Sequence, residues 1–304
     1  APLGEPGPLP VRITGDGSAG NAGPPTGVGV ALAGDVSSQF LSALLLAAPC
    51  LDGGLDVRLT TSLVSKPYVE LTADVMADFG AGVEVADDWT GLRVRPTGYR
   101  AVERFEIEAD ASAASYFAAA AAVVGGTVRI DGLGRASRQG DARFVDLLGR
   151  MGADVRWSAH AVEVTVDGPL HGIAVDMADI SDTAQSLAAV APYADSPTTV
   201  TGIGFIRGKE TDRIAAVVTE LRRLGVDAVE EPDGFTVRPG RPGPGSVRTY
   251  DDHRMAMSFA VLGLGTDGVR IRDPGCVAKT YPGFWVDLDR ITTGPATGPV
   301  APTP

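Results

Sequence analysis

The chain has 304 residues, 44% of them hydrophobic and 21% charged, the composition of a globular protein with one large domain or two medium ones. Its 38 acidic against 26 basic residues leave a net charge of −12, which argues against a general affinity for nucleic acid or for an anionic membrane surface. No apolar run reaches the roughly 18 residues of a membrane span, and the opening APLGEPGPLP lacks the basic and apolar parts of a signal peptide, so a cytoplasmic protein is expected.

In chain order, residues 1–9 read as a Pro/Gly-rich disordered tail. Residues 15–27 read as a Gly-rich surface loop, since the stretch has no Lys or Arg and Pro24 and Pro25 remove backbone donors. The pattern then predicts an apolar helix over 37–49, a strand from Val57, an amphipathic helix stopped by Gly80, and a hairpin running to 96. The same order recurs with a helix over 112–126, a strand from Val128, a helix stopped by Gly152 and a hairpin to 166. It recurs again with a helix over 183–194, a strand from Val200, a helix stopped by Gly225 and a hairpin to 239, and then with a helix over 255–265 and a strand from Val269. The stop glycines lie 72 and 73 residues apart and the strand starts 71, 72 and 69 apart, so the chain reads as about four copies of one supersecondary unit, the first incomplete. The unit is helix, strand, helix, strand, strand, in an α/β (α+β) arrangement. Its first helices are Ala-rich and apolar nearly all round, as expected of helices buried between other elements. Residues 294–304 read as a second disordered tail.

Cys50 and Cys276 are too few for a disulfide scaffold or a zinc cluster and read as buried small apolar residues. Lysine use is more informative. Only Lys66, Lys209 and Lys279 among the 26 basic residues are lysines, and all three fall in chemically unusual segments. In an Arg-rich background a lysine marks a place where a compact ammonium suits better than a planar fork, with chance as the alternative.

Six stretches carry candidate chemistry. Ser37, Ser38 and Gln39 open a helix, where free N–H groups and hydroxyls suit a phosphate or a hydroxyl-rich ligand, although capping by serine explains them as well. Ser65, Lys66 and Tyr68 precede another helix that Pro67 would start, again with capping as the rival. Asp179 and Asp182 sit before a buried helix, where one caps and a second could act as a general base. Arg207, Lys209, Glu210, Asp212 and Arg213 form a charge run in which Lys209 and Arg213, four apart, make an anion clamp on one helix face or a solvated ion-pair network. Asp251, Asp252, His253 and Arg254 abut an apolar helix directly, and buried charges require partners or a ligand. Lys279 stands between small apolar residues, which suggests a partly buried ammonium facing an anion. His160, His171 and His253 are scattered and give no metal-ligand spacing, and no serine-hydrolase or dinucleotide fingerprint is present. Together these segments describe an anion-binding transferase site without a metal or cofactor.

SSQFLSALLLAAP, LVSKPYVELT, EADASAASYFAAAAAVVGGTV, RQGDARFVDLLGRMGADV, KETDRIAAVVTELRRLG, YDDHRMAMSFAVLGL and DPGCVAKTYPGFW follow one another in this chain. In that order they closely resemble the 3-phosphoshikimate 1-carboxyvinyltransferase (5-enolpyruvylshikimate-3-phosphate synthase) family, from about residue 10 to about 290. The resemblance implies a fold of two domains built from βαβαββ units, with 1–107 the remainder of an incomplete first domain, 108–290 a second domain and 291–304 a disordered tail. It implies transfer of the enolpyruvyl group of phosphoenolpyruvate to the 5-hydroxyl of shikimate 3-phosphate, with release of phosphate, by a cytoplasmic monomer whose partners are these two small molecules.

By the same resemblance Ser37, Ser38, Gln39, Ser65, Asp182 and Lys209 surround shikimate 3-phosphate. Gln39, Arg213, Arg254 and Lys279 line the phosphoenolpyruvate side. Asp182 takes the 5-hydroxyl proton, and Glu210 is a second proton-transfer group. Phe205 stands where the family often has Asn, so that contact does not carry over. Roughly the first third of the family's chain has no counterpart, and Gly20-Asn21-Ala22-Gly23 imitates one of its loops in the wrong place. With Ala as the first residue, a C-terminal fragment is expected, inactive alone and exposing apolar faces of 37–49. The alternatives are a truncated, non-catalytic anion-binding protein of the same fold, or a relative of UDP-N-acetylglucosamine enolpyruvyl transferase.

Overall fold

The computed structural model describes residues 28–293. The Gly-rich loop at 15–27, the Gly20–Gly23 imitation and both expected tails beyond these limits lie outside the described residues. Two compact units are present, one of residues 28–63 with 69–104, the other of 64–68 with 105–293.

The first unit is a single βαβαββ motif: β1 (Val28–Leu32), α1 (Ser38–Ala47), β2 (Leu55–Leu59), α2 (Lys66–Asp78), β3 (Val83–Val85) and β4 (Gly91–Val94). The first turn of α2 is counted with the second unit. Strands β1 and β2 pair in parallel with Val30 opposite Val57, β2 pairs antiparallel with β4, and β3 and β4 form the hairpin. The copy expected to be incomplete therefore has every element of the motif.

The second unit contains three further copies. The first is α3 (Ala111–Val124), β5 (Gly126–Asp131), α4 (Phe144–Met151), β6 (Asp154–Trp157) and β7 (Ala161–Val166). The next is β8 (Ala174–Asp176), α5 (Ala184–Val190), β9 (Thr198–Thr201), α6 (Arg213–Arg223), β10 (Ala228–Glu231) and β11 (Gly234–Val237). The last is β12 (Gly245–Val247), α7 (His253–Leu264), β13 (Val269–Ile271) and α8 (Phe284–Thr293). The sheet of the middle copy runs β8, β9, β11, β10, the same order and sense of pairing as in the first unit. The leading strands β1, β8 and β12 escape the hydrophobic pattern, as does α8; strands of three to five residues show no clear period.

The stop glycines behave as the pattern requires. Gly80, Gly152 and Gly225 all have positive φ, and Gly152 closes α4 in the left-handed conformation that a side chain would strain.

Helices α3, α5 and α7, one from each copy, pack on one another at the centre of the second unit. Nine residues of α3, all seven of α5 and eight of α7 are buried. Alanines allow the close approach, and a buried Ser115–Ser186 hydroxyl pair at 2.8 Å ties α3 to α5. Phe259 of α7 and, on other elements, Phe144, Phe235 and Phe284 belong to the same core.

Helix α1 occupies the same place in its motif but buries only Ser38, Leu41 and Leu45, leaving Phe40 56% and Leu46 47% exposed. Its apolar circumference thus reads like that of α3, α5 and α7 while one face stays open to solvent.

Three expectations are corrected. Cys50 is exposed and Cys276 only partly buried, so neither is a core residue; Cys50 follows α1 in a surface turn. Residues 291–293 belong to α8 rather than to a tail, because Phe284 and Leu288 anchor that helix in the core. Lys209 and Arg213 do not share a helix face, since α6 starts at Arg213 behind its cap Asp212. No helix among the described residues is long and apolar enough to cross a membrane.

The open face of α1 gives a first prediction. A variant carrying Phe40→Glu with Leu46→Glu should keep its unfolding free energy within about 1 kcal/mol of the parent, as surface changes do. It should also raise the concentration at which the chain begins to scatter light. Urea titration and static light scattering check both, and a loss of several kcal/mol would mean these side chains are packed.

Candidate functional site

The starts of α5, α6 and α7 bring their charged residues together in the second unit, and α3 adds Tyr116. Arg213, the first residue of α6, is 2% exposed and is the hub. Its Nε donates to Asp252 at 2.8 Å, Nη1 to Asp182 at 3.0 Å and Nη2 to Glu210 at 2.7 Å. Asp182 also accepts from Arg254 Nη2 at 2.7 Å, and Glu210 accepts from Lys279 Nζ at 2.5 Å. Two carboxylates thus each bridge a pair of cations.

Local structure explains the placement. Asp212 caps α6 through the Ala215 N–H and holds Arg207 with both oxygens, which fixes the turn carrying Lys209 and Glu210. Asp252 caps α7 through the Arg254 N–H while accepting from Arg213. Asp182 does not cap. It lies in a short 3-10 turn before α5, and both its oxygens face guanidinium groups.

The electrostatics follow from this geometry. Burial pushes the Asp182 carboxyl up, but Arg254, then Arg213 and Lys209, hold it below the usual carboxylate range. Glu210 is brought down to about 2, where the upward push of burial is outweighed by the Lys279 hydrogen bond and Arg213. Burial lowers the Lys209 ammonium, and burial with Arg254 lowers His253, so the imidazole is neutral near pH 7. Arg254 stays a cation because Asp182 outweighs its burial. Its Nη1 also donates to Tyr116 at 3.3 Å, while its Nε is buried without a hydrogen-bond partner.

The remaining expected residues fall as follows. Ser65 is buried in the second unit with φ +56° and donates to the Ala178 carbonyl at 3.4 Å. Lys279 is 55% exposed on its side chain, not the partly buried ammonium expected, because the 274–279 turn presents it outward towards Glu210. Phe205 packs against the core. Asp179 lies 3.8 Å from Arg143, apart from the cluster round Arg213. Ser37, Ser38 and Gln39 lie in the first unit, where the Ser37 hydroxyl accepts the Gln39 N–H at 3.3 Å in the capping role weighed for it.

Three residues escaped the sequence reading. Asp141 is 3% exposed and accepts from Tyr68 Oη at 2.7 Å and from Ser112 Oγ. Burial, then the neighbouring Asp182, pushes its carboxyl up to about 6. Tyr116, pushed up to about 12 by burial, was legible as a lone polar tip in an Ala-rich helix, which needs a partner. Asp141 and Ser112 carried only the signals of helix starts.

Among solved structures, the fold matches an EPSP synthase from Acinetobacter baumannii with a TM-score of 0.71 at 24% identity, covering 87% of this chain and 62% of that one. It matches the enolpyruvyl transferase NikO from Streptomyces tendae with a TM-score of 0.62 at 22% identity, covering 79% and 55%. The class is therefore an enolpyruvyl transferase fold.

The family model for EPSP synthase (3-phosphoshikimate 1-carboxyvinyltransferase) matches residues 7–288, and the chain belongs to that family. Proteins named 3-phosphoshikimate 1-carboxyvinyltransferase are similar to it. The one from Ralstonia pickettii is 47% identical over 271 residues, 85% of this chain and 62% of the relative. That from Methanoculleus marisnigri is 43% identical over 286 residues, 94% and 65%. The chain thus spans about three fifths of the length of the curated relatives it matches.

Asp141 gives a prediction with a defined sign. A carboxyl raised in the folded state contributes stability that is present below its unfolded pKa, near 4, and is lost as pH rises through about 6. Relative to an Asp141→Asn variant, the parent should lose roughly 3 kcal/mol between pH 4 and pH 7. Urea unfolding of both at several pH values checks this, and a difference independent of pH would refute it.

Proposed function

We propose that the cluster around Arg213 is the part of an enolpyruvyl transferase site that handles phosphoenolpyruvate and the 5-hydroxyl of shikimate 3-phosphate. In this reading the hydroxyl oxygen adds to C2 of phosphoenolpyruvate as its C3 methylene takes a proton. Loss of phosphate and of a methyl proton then restores the enol double bond. The observation that carries it is the pair of bridged carboxylates, Asp182 between Arg213 and Arg254, and Glu210 between Arg213 and Lys279.

Asp182 is held ionised by its cations, as an acceptor for the hydroxyl proton must be. Glu210 is ionised in the arrangement described, with its carboxyl at about 2. A phosphate or carboxylate docking on Lys279 and Arg213 would cancel the field that keeps it low and raise its pKa towards the value a proton donor needs. Arg254, with its buried unpartnered Nε, and Lys279, with its outward ammonium, supply fixed cations for the several negative charges of phosphoenolpyruvate.

Ser65, Lys209 and Asp182 belong to the shikimate 3-phosphate side in this reading. Ser37, Ser38 and Gln39 belong to the first unit, and the resemblance alone assigns them to shikimate 3-phosphate, with Gln39 also assigned to phosphoenolpyruvate. The family membership supports this substrate pair, and the net charge of −12 is in keeping with small-molecule partners rather than nucleic acid. We read the protein as a cytoplasmic monomer.

Calorimetric titration of the 304-residue chain with each compound tests the reading. Arg254→Ala or Lys279→Ala should weaken phosphoenolpyruvate binding about ten- to hundredfold, the loss of one charge-assisted contact. Shikimate 3-phosphate binding should change less than about threefold, on the scale of a neighbouring residue's effect. Equal loss for both compounds would overturn the assignment of sides.

A further inference from the structure

The segment that aims Arg254 has an unusual backbone. Tyr250 and Asp251 both have φ +56°, so two consecutive non-glycine residues sit in the left-handed region directly before the Asp252 cap of α7. Side chains disfavour that conformation, and it persists where the surroundings over-determine it.

The surroundings here are one carboxylate. Glu220 on α6 is fully buried and accepts from Tyr250 Oη at 2.7 Å and from the Arg248 N–H at 3.1 Å. Arg223 Nε and Nη2 add 2.8 and 3.3 Å contacts and neutralise the charge. Seven residues earlier on the same helix, Arg213 takes Asp252. Residues at i and i+7 lie on one helix face. Helix α6 therefore grips residues 248–252 at both ends, and the turn closes between them with the Asp252 N–H on the Thr249 carbonyl at 2.9 Å.

We propose that Glu220 is a positioning residue. Through Tyr250 it holds the left-handed turn that presents Asp252 and Arg254 to the anion cluster, without itself reaching that cluster. The consequence for phosphoenolpyruvate rests on the reading of Arg254 given above, whereas the clamp itself does not.

Two variants of the 304-residue chain test it. Tyr250→Phe removes only the hydroxyl that reaches Glu220. Glu220→Gln turns an NH2 donor towards groups that themselves donate and removes the charge facing Arg223, so it should loosen the turn at least as much as Tyr250→Phe. For Tyr250→Phe, exchange of the Asp252 and Arg254 amide hydrogens should speed up about tenfold while α3 and α5 keep their protection, as local opening allows. Its affinity for phosphoenolpyruvate should fall about tenfold, with shikimate 3-phosphate binding unchanged within about twofold.

A merely structural role would instead speed exchange throughout the second unit and weaken both compounds alike, and that result overturns the proposal. So does parent-like exchange at Asp252 and Arg254 in Tyr250→Phe. If the parent chain binds no phosphoenolpyruvate, the functional reading fails and the amide exchange alone decides the clamp.

Discussion

The second unit depends on one guanidinium that spends its donors on three carboxylates. Arg213 is withdrawn from water, and so is Asp252, which it holds. A buried charge of this kind is tolerated only when its partners are also in place, and removing one partner costs about 3–5 kcal/mol. The three acceptors come from different parts of the chain: Glu210 from the turn before α6, Asp182 from the turn before α5 and Asp252 from the cap of α7. Fixing them on one side chain aligns three helix starts, and the cations paired with them, Arg254 and Lys279, are drawn into the same place.

The opposed behaviour of neighbouring carboxyls follows from how many cations each one meets. Asp182 and Glu210 face two each and stay ionised, whereas Asp141 meets hydroxyls and sits in the repulsive field of Asp182. Burial alone would raise all three. A site holding groups ready to ionise beside groups reluctant to do so can run proton transfer in both directions.

Much of this was legible in the sequence. The period of about 72 residues reports the repeated motif because each copy needs the same glycine stop and the same apolar helix, and the residues clustered round Arg213 announce themselves as charges set against apolar helices. What was not legible has a physical cause in each case. Strands as short as β8 carry no periodicity, and Asp141 looks like any helix-opening acid until Tyr68 arrives from 73 residues away. Cys50 looks like a core residue because isolated thiols usually are, and nothing in the sequence says that the turn after α1 leaves it facing outward. The exposure of Lys279 depends on a turn whose direction is set by tertiary contact.

The alanine-lined meeting of α3, α5 and α7 carries a mechanical consequence. On α3 and α5, where most of the buried residues are alanine or serine, the helix backbones come close to being the packing surface, and little side chain is left there to absorb a change in volume. A bulkier residue at Ala119 or Ala188 would displace whole helices rather than repack locally. Because Tyr116, Asp182 and Arg254 ride at or near the starts of those helices, a methyl group added deep in the interior would act as a lever on the distances between charges. Drift at these alanines is therefore constrained in pairs, since a gain in volume on one helix is accommodated only by a loss on the helix facing it.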